Sequence, residues 1–199
     1  KALENSANVF AENEALVFCP SNLRMTYQQL NNAANDFAAG LLKIGLKPGD
    51  RLGIWSPNRP EWVITQFATA KIGVILVNIN PAYRISELEH ALNQVQCKAL
   101  VSAETFKSSN YLEMIQSLAP ELKDSSPGDL KSRRLPSLKH VIVMSDQLVP
   151  GTSRYQDISV QTDNEILRTL AEIDNTLDPD QPINIQFTSG TTGLPKGAT

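Results

Sequence analysis

Val74-Ile-Leu-Val77 is apolar at every position, so a strand formed there is apolar on both faces and has to be covered from both sides, as in a parallel sheet layered with helices. The flanking sequence supplies such helices. Residues 61–72 read as a largely buried helix closed by Gly73. Ser86-Glu-Leu-Glu89 has the form of a capping box and opens a second helix running to about Gln96.

The same alternation extends in both directions. Ala15-Leu-Val-Phe18 reads as a strand, and Thr26 with Gln29 makes another capping box. Leu30, Ala33, Ala34, Phe37, Leu41 and Ile44 then recur at helical spacing until Gly45. Lys47-Pro-Gly-Asp50 turns into the strand Arg51-Leu-Gly-Ile-Trp55, and Ala99-Leu-Val101 is the next strand after the second capped helix. A helix with Leu112, Ile115 and Leu118 on one side follows. Pro120–Ser137, with further prolines, a Pro-Gly pair and Lys131-Ser-Arg-Arg134, is expected to be a surface excursion or mobile loop. His140-Val-Ile-Val-Met144 resumes the sheet, Asn164–Ile173 is helical, and the last strand is Ile183–Phe187. Strands separated by helices predict an α/β fold, layered, with a mostly parallel sheet flanked by helices. In such sheets ligands gather beyond the C-terminal ends of the strands.

Bulk properties exclude some functions. The net charge of −3 gives no basic surface for nucleic acid, and apolar runs such as Val74–Val77 are strand-sized, far short of a membrane span. The two cysteines, Cys19 and Cys97, lack metal-ligand spacing and read as packed thiols.

The most unusual segment follows the last strand. Thr188 to Gly193 contain only Thr, Ser and Gly, and Pro195-Lys196-Gly197 comes next. Gly190, Gly193 and Gly197 let the main chain approach a ligand, and successive N–H groups can form a nest for an anion. Thr188, Ser189, Thr191 and Thr192 add hydroxyls, and Lys196 adds a positive charge on a movable stem. Together they suit a polyphosphate, where a plain Ser/Thr/Gly linker would have no reason to end in Pro-Lys-Gly. The pattern is not a Walker A loop, because Pro195 precedes Lys196 and Gly197 follows it. Neither a Gly-x-Gly-x-x-Gly nor a Gly-x-Ser-x-Gly motif occurs.

Phe187-Thr-Ser-Gly-Thr-Thr-Gly-Leu-Pro-Lys-Gly197 resembles the phosphate-loop signature of the adenylate-forming superfamily. The resemblance continues upstream through Met25-Thr-Tyr-Gln-Gln-Leu30, Lys47-Pro-Gly-Asp-Arg-Leu-Gly53 and Val77-Asn-Ile-Asn-Pro-Ala-Tyr-Arg84, and so covers nearly the whole chain. Within that superfamily the sequence is most similar to fatty acyl-CoA synthetases of the medium-chain type. The resemblance implies a ligase that converts a fatty acid and ATP into an acyl-adenylate and pyrophosphate, then into a thioester with CoA. It implies ATP, Mg²⁺ and coenzyme A as substrates and cofactors, with Thr188, Ser189, Gly190, Thr191, Thr192, Gly193 and Lys196 on the β- and γ-phosphates.

It also implies that residues 1–177 form an N-terminal α/β subdomain, and that 178–199 form a connector, strand and phosphate loop leading into the rest of the domain. The first residue is Lys1, and the family's ribose-binding Asp and adenylation Lys would lie beyond Thr199. An N-terminal piece of a longer enzyme, inactive alone, is therefore expected, with no catalytic or metal-ligating residue assigned within it. The implied compartment is the cytoplasm, or the mitochondrial matrix for a eukaryotic protein. Other readings are a coumarate- or aryl-type acid-thiol ligase, or an inactive nucleotide-binding module.

Other residues carry weaker signals. His90, three positions after Glu87, is expected on a solvated helix face, and His140 at a strand boundary. Trp55 and Trp62 are expected to be core aromatics at element ends, Arg133 and Arg134 solvated charges, and Asp178 and Asp180 turn residues.

Overall fold

The computed structural model describes residues 1–188 and 195–199. The chain begins with helix α1 (Ala2–Val9) and a hairpin of β1 (Glu14–Phe18) and β2 (Leu23–Thr26). Next come α2 (Tyr27–Lys43), β3 (Arg51–Trp55), α3 (Pro60–Lys71), β4 (Ile75–Ile79), α4 (Ile85–Gln94) and β5 (Ala99–Ser102). A two-residue ribbon, β6 (Thr105–Phe106) and β7 (Ser109–Asn110), leads into α5 (Tyr111–Leu118) and then β8 (His140–Val143). The chain continues through β9 (Ser153–Arg154), α6 (Tyr155–Ile158), α7 (Asn164–Thr176), β10 (Asn184–Phe187) and β11 (Gly197–Ala198).

Seven strands form one sheet in the order β11-β10-β4-β3-β5-β8-β9, and only β11 runs antiparallel to its neighbour. Leu52, Ile54, Leu76, Val101 and Ile142 point to one face and are covered by Phe37 and Leu41 of α2, Ala68 of α3, Ile158 of α6 and Leu170 of α7. Val77, Ile79, Leu100, Val141 and Val143 point to the other face, beneath Leu88 and Leu92 of α4 and Ile115 and Leu118 of α5. Each fully buried leucine or isoleucine contributes about 1.5–3 kcal/mol of transfer free energy, so the two clusters dominate the stability of the layers. The doubly apolar strand at Val74–Val77 thus sits, as its sequence requires, inside a parallel sheet covered on both faces.

Local signals set several boundaries. The Gln29 amide donates to Thr26 Oγ1 at 3.2 Å and the Thr26 amide to Gln29 Oε1 at 2.9 Å, closing the expected capping box of α2. Gly45 ends that helix region at φ +91°, a conformation that costs glycine little.

Two expectations differ from the structure, and one strand finds an unexpected partner. The box at the start of α4 sits two residues earlier than the Ser86 motif suggested. Arg84 is extended, its amide donates to Glu87 Oε2 at 3.1 Å, and Ser86 Oγ merely donates to the same carboxylate. The strand expected at Ala15–Phe18 forms, and it pairs with Leu23–Thr26 in a hairpin beside the main sheet because the turn at Cys19–Asn22 folds the chain straight back. The segment Pro120–Ser137 is irregular but pinned: Leu122, Leu130 and Leu135 are buried in the α4/α5-side cluster, anchoring a stretch that composition alone describes as surface loop.

Candidate phosphate-loop site

β10 enters the sheet beside β4 in parallel register, with Ile185 opposite Val77 and Gln186 opposite Asn78. It therefore delivers Thr188 to the C-terminal edge of the sheet. Connections part there to opposite faces: β3 leads to α3 on one side, and β4 leads to α4 on the other. Such a divergence leaves a crevice above the strand ends. Here it is a cleft of about 380 Å³ lined by Asn58, Trp62, Asn78, Asn80, Gln186 and Phe187, among others.

The chain returns from the loop in β11, where Gly197 lies opposite Phe187 and Ala198 opposite Gln186. The Thr188 amide donates to the Lys196 carbonyl at 2.9 Å, so the first and last residues of the candidate site are joined across the base of the loop. Thr188 and Lys196 are both exposed. Ser189, Gly190, Thr191, Thr192 and Gly193 lie outside the described residues. Gly197 has no positive φ, and a Cβ there would come within 3.1 Å of Ile185 Cγ2. Its lack of a side chain leaves room for Ile185 of the neighbouring strand β10.

Two site features were not legible in the sequence. His90 Nε2 lies 3.0 Å from the Pro195 carbonyl, and its ring meets the Phe187 ring edge-on with centroids 6.5 Å apart. His90 is half-buried against the loop's return segment, where a solvated helix face was expected. The contact spans 105 residues, so no local periodicity could reveal it. Asn78 is the other. Its side-chain oxygen and nitrogen are both buried and without a hydrogen-bond partner among the described residues, and the residue lines the cleft. An unpaired buried amide costs roughly 1–3 kcal/mol unless water or a ligand satisfies it. An Asn within a β-branched run is the only sequence sign of it.

The remaining candidates fall mostly where expected. Trp55 is fully buried and Trp62 half-buried at the cleft wall. Arg134 Nε donates to Glu89 Oε1 at 2.8 Å, which holds the Glu89 carboxyl below the usual range. Asp178 Oδ1 accepts from the Asp180 amide at 2.9 Å, in a local turn. Burial pushes the Cys97 thiol up to about 12, leaving it the packed, unreactive group expected, but Cys19 is exposed on the turn after β1 and is not the packed thiol its sequence suggests. Among the described residues no three His, Cys, Asp or Glu side chains converge to hold a metal. The donors at hand, hydroxyls and an exposed ammonium, suit phosphate oxygens and would give Mg²⁺ at most a hydroxyl ligand.

Known proteins place this arrangement. The family model described as AMP-binding enzyme matches residues 3–199. The medium-chain acyl-CoA ligase ACSF2, mitochondrial, of Danio rerio is 46% identical over 199 residues, covering 100% of this chain and 33% of the relative. The putative acyl-CoA synthetase YngI of Bacillus subtilis is 38% identical, covering 99% of this chain and 36% of the relative. The crystal structure of the anthranilate CoA ligase AuaEII in complex with anthranoyl-AMP superposes with a TM-score of 0.73 at 26% identity, covering 98% of this chain and 33% of that one. The chain thus spans about a third of the length of the relatives it matches. With the family model covering all but its first two residues, the chain belongs to the AMP-binding enzyme family.

Proposed function

We propose that this chain supplies the phosphate grip of an AMP-forming fatty acyl-CoA ligase. In the first half-reaction a carboxylate oxygen attacks the α-phosphorus of ATP, and the bond to the departing pyrophosphate breaks. In the second, the CoA thiol, losing its proton to solvent or a base, attacks the acyl carbonyl and AMP leaves. Thr188, Ser189, Gly190, Thr191, Thr192, Gly193 and Lys196 bind the β- and γ-phosphates, so charge accumulating on pyrophosphate meets donors already in place. Mg²⁺, when bound, would neutralise part of that charge through the phosphate oxygens.

The observation that carries this reading is the pinned loop base: Thr188 bonded to Lys196 at the strand ends, beside a cleft with polar walls. Residues 178–199 then serve as the passage from the α/β unit of residues 1–177 to the remainder of the ligase. The relatives' names support a medium-chain fatty acid as the acid. The partners are small molecules, and no described helix is long and apolar enough to cross a membrane. The working compartment is the cytoplasm in a bacterium and the mitochondrial matrix in a eukaryote; the Danio rerio relative, whose name places it in the mitochondrion, supports the organelle.

The test is carboxylate-dependent ATP–pyrophosphate exchange by the full-length ligase containing these residues, run over a panel of acids. Exchange is expected to be fastest with medium-chain fatty acids. A preference for aryl acids would replace the fatty acid in this reading, and no exchange with any acid would leave an inactive nucleotide-binding module.

A further inference from the structure

We propose that His90 is a positioning residue for the phosphate loop, a role that rests on the phosphate-binding reading above. A carbonyl can only accept, so the 3.0 Å contact to Pro195 requires His90 to carry its proton on Nε2. In a trans peptide the N–H points opposite to the C=O. Holding the Pro195 carbonyl toward α4 therefore turns the Lys196 amide away from α4. The next peptide is held as well, because the Lys196 carbonyl accepts from Thr188 at 2.9 Å. Lys196 is gripped through the peptide on each side of its Cα, and its long side chain departs from a fixed origin.

The imidazole itself projects from a rigid support. Leu88, Ala91 and Leu92 bury the inner side of α4. Glu89 pairs with Arg134, Asn93 Nδ2 donates to the Arg134 carbonyl at 2.9 Å, and Arg51 Nε donates to the Val95 carbonyl at 2.6 Å. The edge-on Phe187 ring limits rotation of the imidazole. Prepositioning of this kind lowers the ordering cost that a lysine stem would otherwise incur when it meets a phosphate.

Two variants separate the hydrogen bond from simple packing. His90→Phe keeps a ring against Phe187 and removes the donor, whereas His90→Gln restores an Nε2–H donor and removes the ring. In the full-length ligase, H90F is expected to raise the KM for ATP in adenylation about fivefold and leave thioester formation from supplied acyl-adenylate unchanged, with H90Q within about twofold of wild type. Amide hydrogen exchange at Thr188, which needs no turnover, is expected to quicken about fivefold in H90F and not in H90Q. An unchanged KM for ATP in H90F, an equal loss in the thioester step, or an H90Q no better than H90F overturns the proposal. If the wild type adenylates no acid, the functional reading fails separately, and exchange at Thr188 still decides whether His90 holds the loop base.

Discussion

The indole of Trp55 lies flat on the ring of Tyr111, with centroids 3.6 Å apart and planes 10° from parallel. Both rings are fully buried, and each sends its polar tip to the same turn: Trp55 Nε1 donates to the Asn80 carbonyl at 3.2 Å and the Tyr111 hydroxyl to the Pro81 carbonyl at 2.5 Å. β3 and α5 thereby hold Asn80-Pro81, part of the cleft lining, from beneath.

Removing the Tyr111 hydroxyl takes away the partner of the Pro81 carbonyl, whereas the Asn80 carbonyl would keep the Tyr83 amide, which donates to it at 3.0 Å. Tyr111→Phe should lower stability by about 1–2 kcal/mol, seen as a lower urea midpoint with an unchanged m-value. Trp55→Ala, which opens a cavity as well, should cost about 3–5 kcal/mol. A Tyr111→Phe protein with an unaltered midpoint would show that the hydroxyl bond is replaced by water at no cost.

Lys196 is exposed, and in the proposed reaction its ammonium would meet the departing pyrophosphate. Lys196→Ala should slow carboxylate-dependent pyrophosphate exchange by about a hundredfold, the scale on which removing one prepositioned charge donor acts. Thioester formation from supplied acyl-adenylate should fall much less, because no pyrophosphate charge develops in that step. Equal losses in the two half-reactions would refute the phosphate role of Lys196.

The legible parts of this molecule are those whose cause is local. Thr26 and Gln29 are three residues apart, and Gly45 needs only its own φ, so both were readable from sequence. The two-faced apolar run at Val74–Val77 likewise states its own environment. The Thr/Ser/Gly segment stands out by its composition, yet the contacts that flank it do not. Thr188 meets Lys196 and His90 meets Pro195 only after β10 has found its place beside β4. Leu122, Leu130 and Leu135 show the same limit: leucines spaced without period among prolines and basic residues reveal nothing until α4 and α5 offer them a surface.

Two glycines should respond very differently to alanine. A Cβ on Gly40 would overlap the Ile158 carbonyl, which belongs to the backbone of α6 and cannot rotate away. Gly45 faces open space and has only its φ of +91° to defend. Gly40→Ala should therefore cost about 3 kcal/mol or more, through separation of α2 from α6. Gly45→Ala should cost about 1 kcal/mol. Thermal or urea unfolding of the two variants checks the order, and equal losses would contradict it.

His140 opens β8, half-buried, with Gly128 packed against its ring. Burial is the main cause that lowers its pKa from the usual value, and the neighbouring Lys98 ammonium adds to it while Asp50 partly opposes it. The folded state therefore favours the neutral ring more than the unfolded chain does. Above the unfolded pKa, near 6.5, both states carry neutral imidazole and the shift has no effect. As pH falls through that value the unfolded chain takes up a proton that the folded protein still refuses, so stability declines until the folded pKa is reached. His140→Gln removes that titration. Unfolding measured from pH 7.5 down to 5 should show wild type losing more stability than H140Q across the lower half of this range, with parallel slopes above pH 7. Parallel slopes throughout would mean that His140 titrates alike in both states.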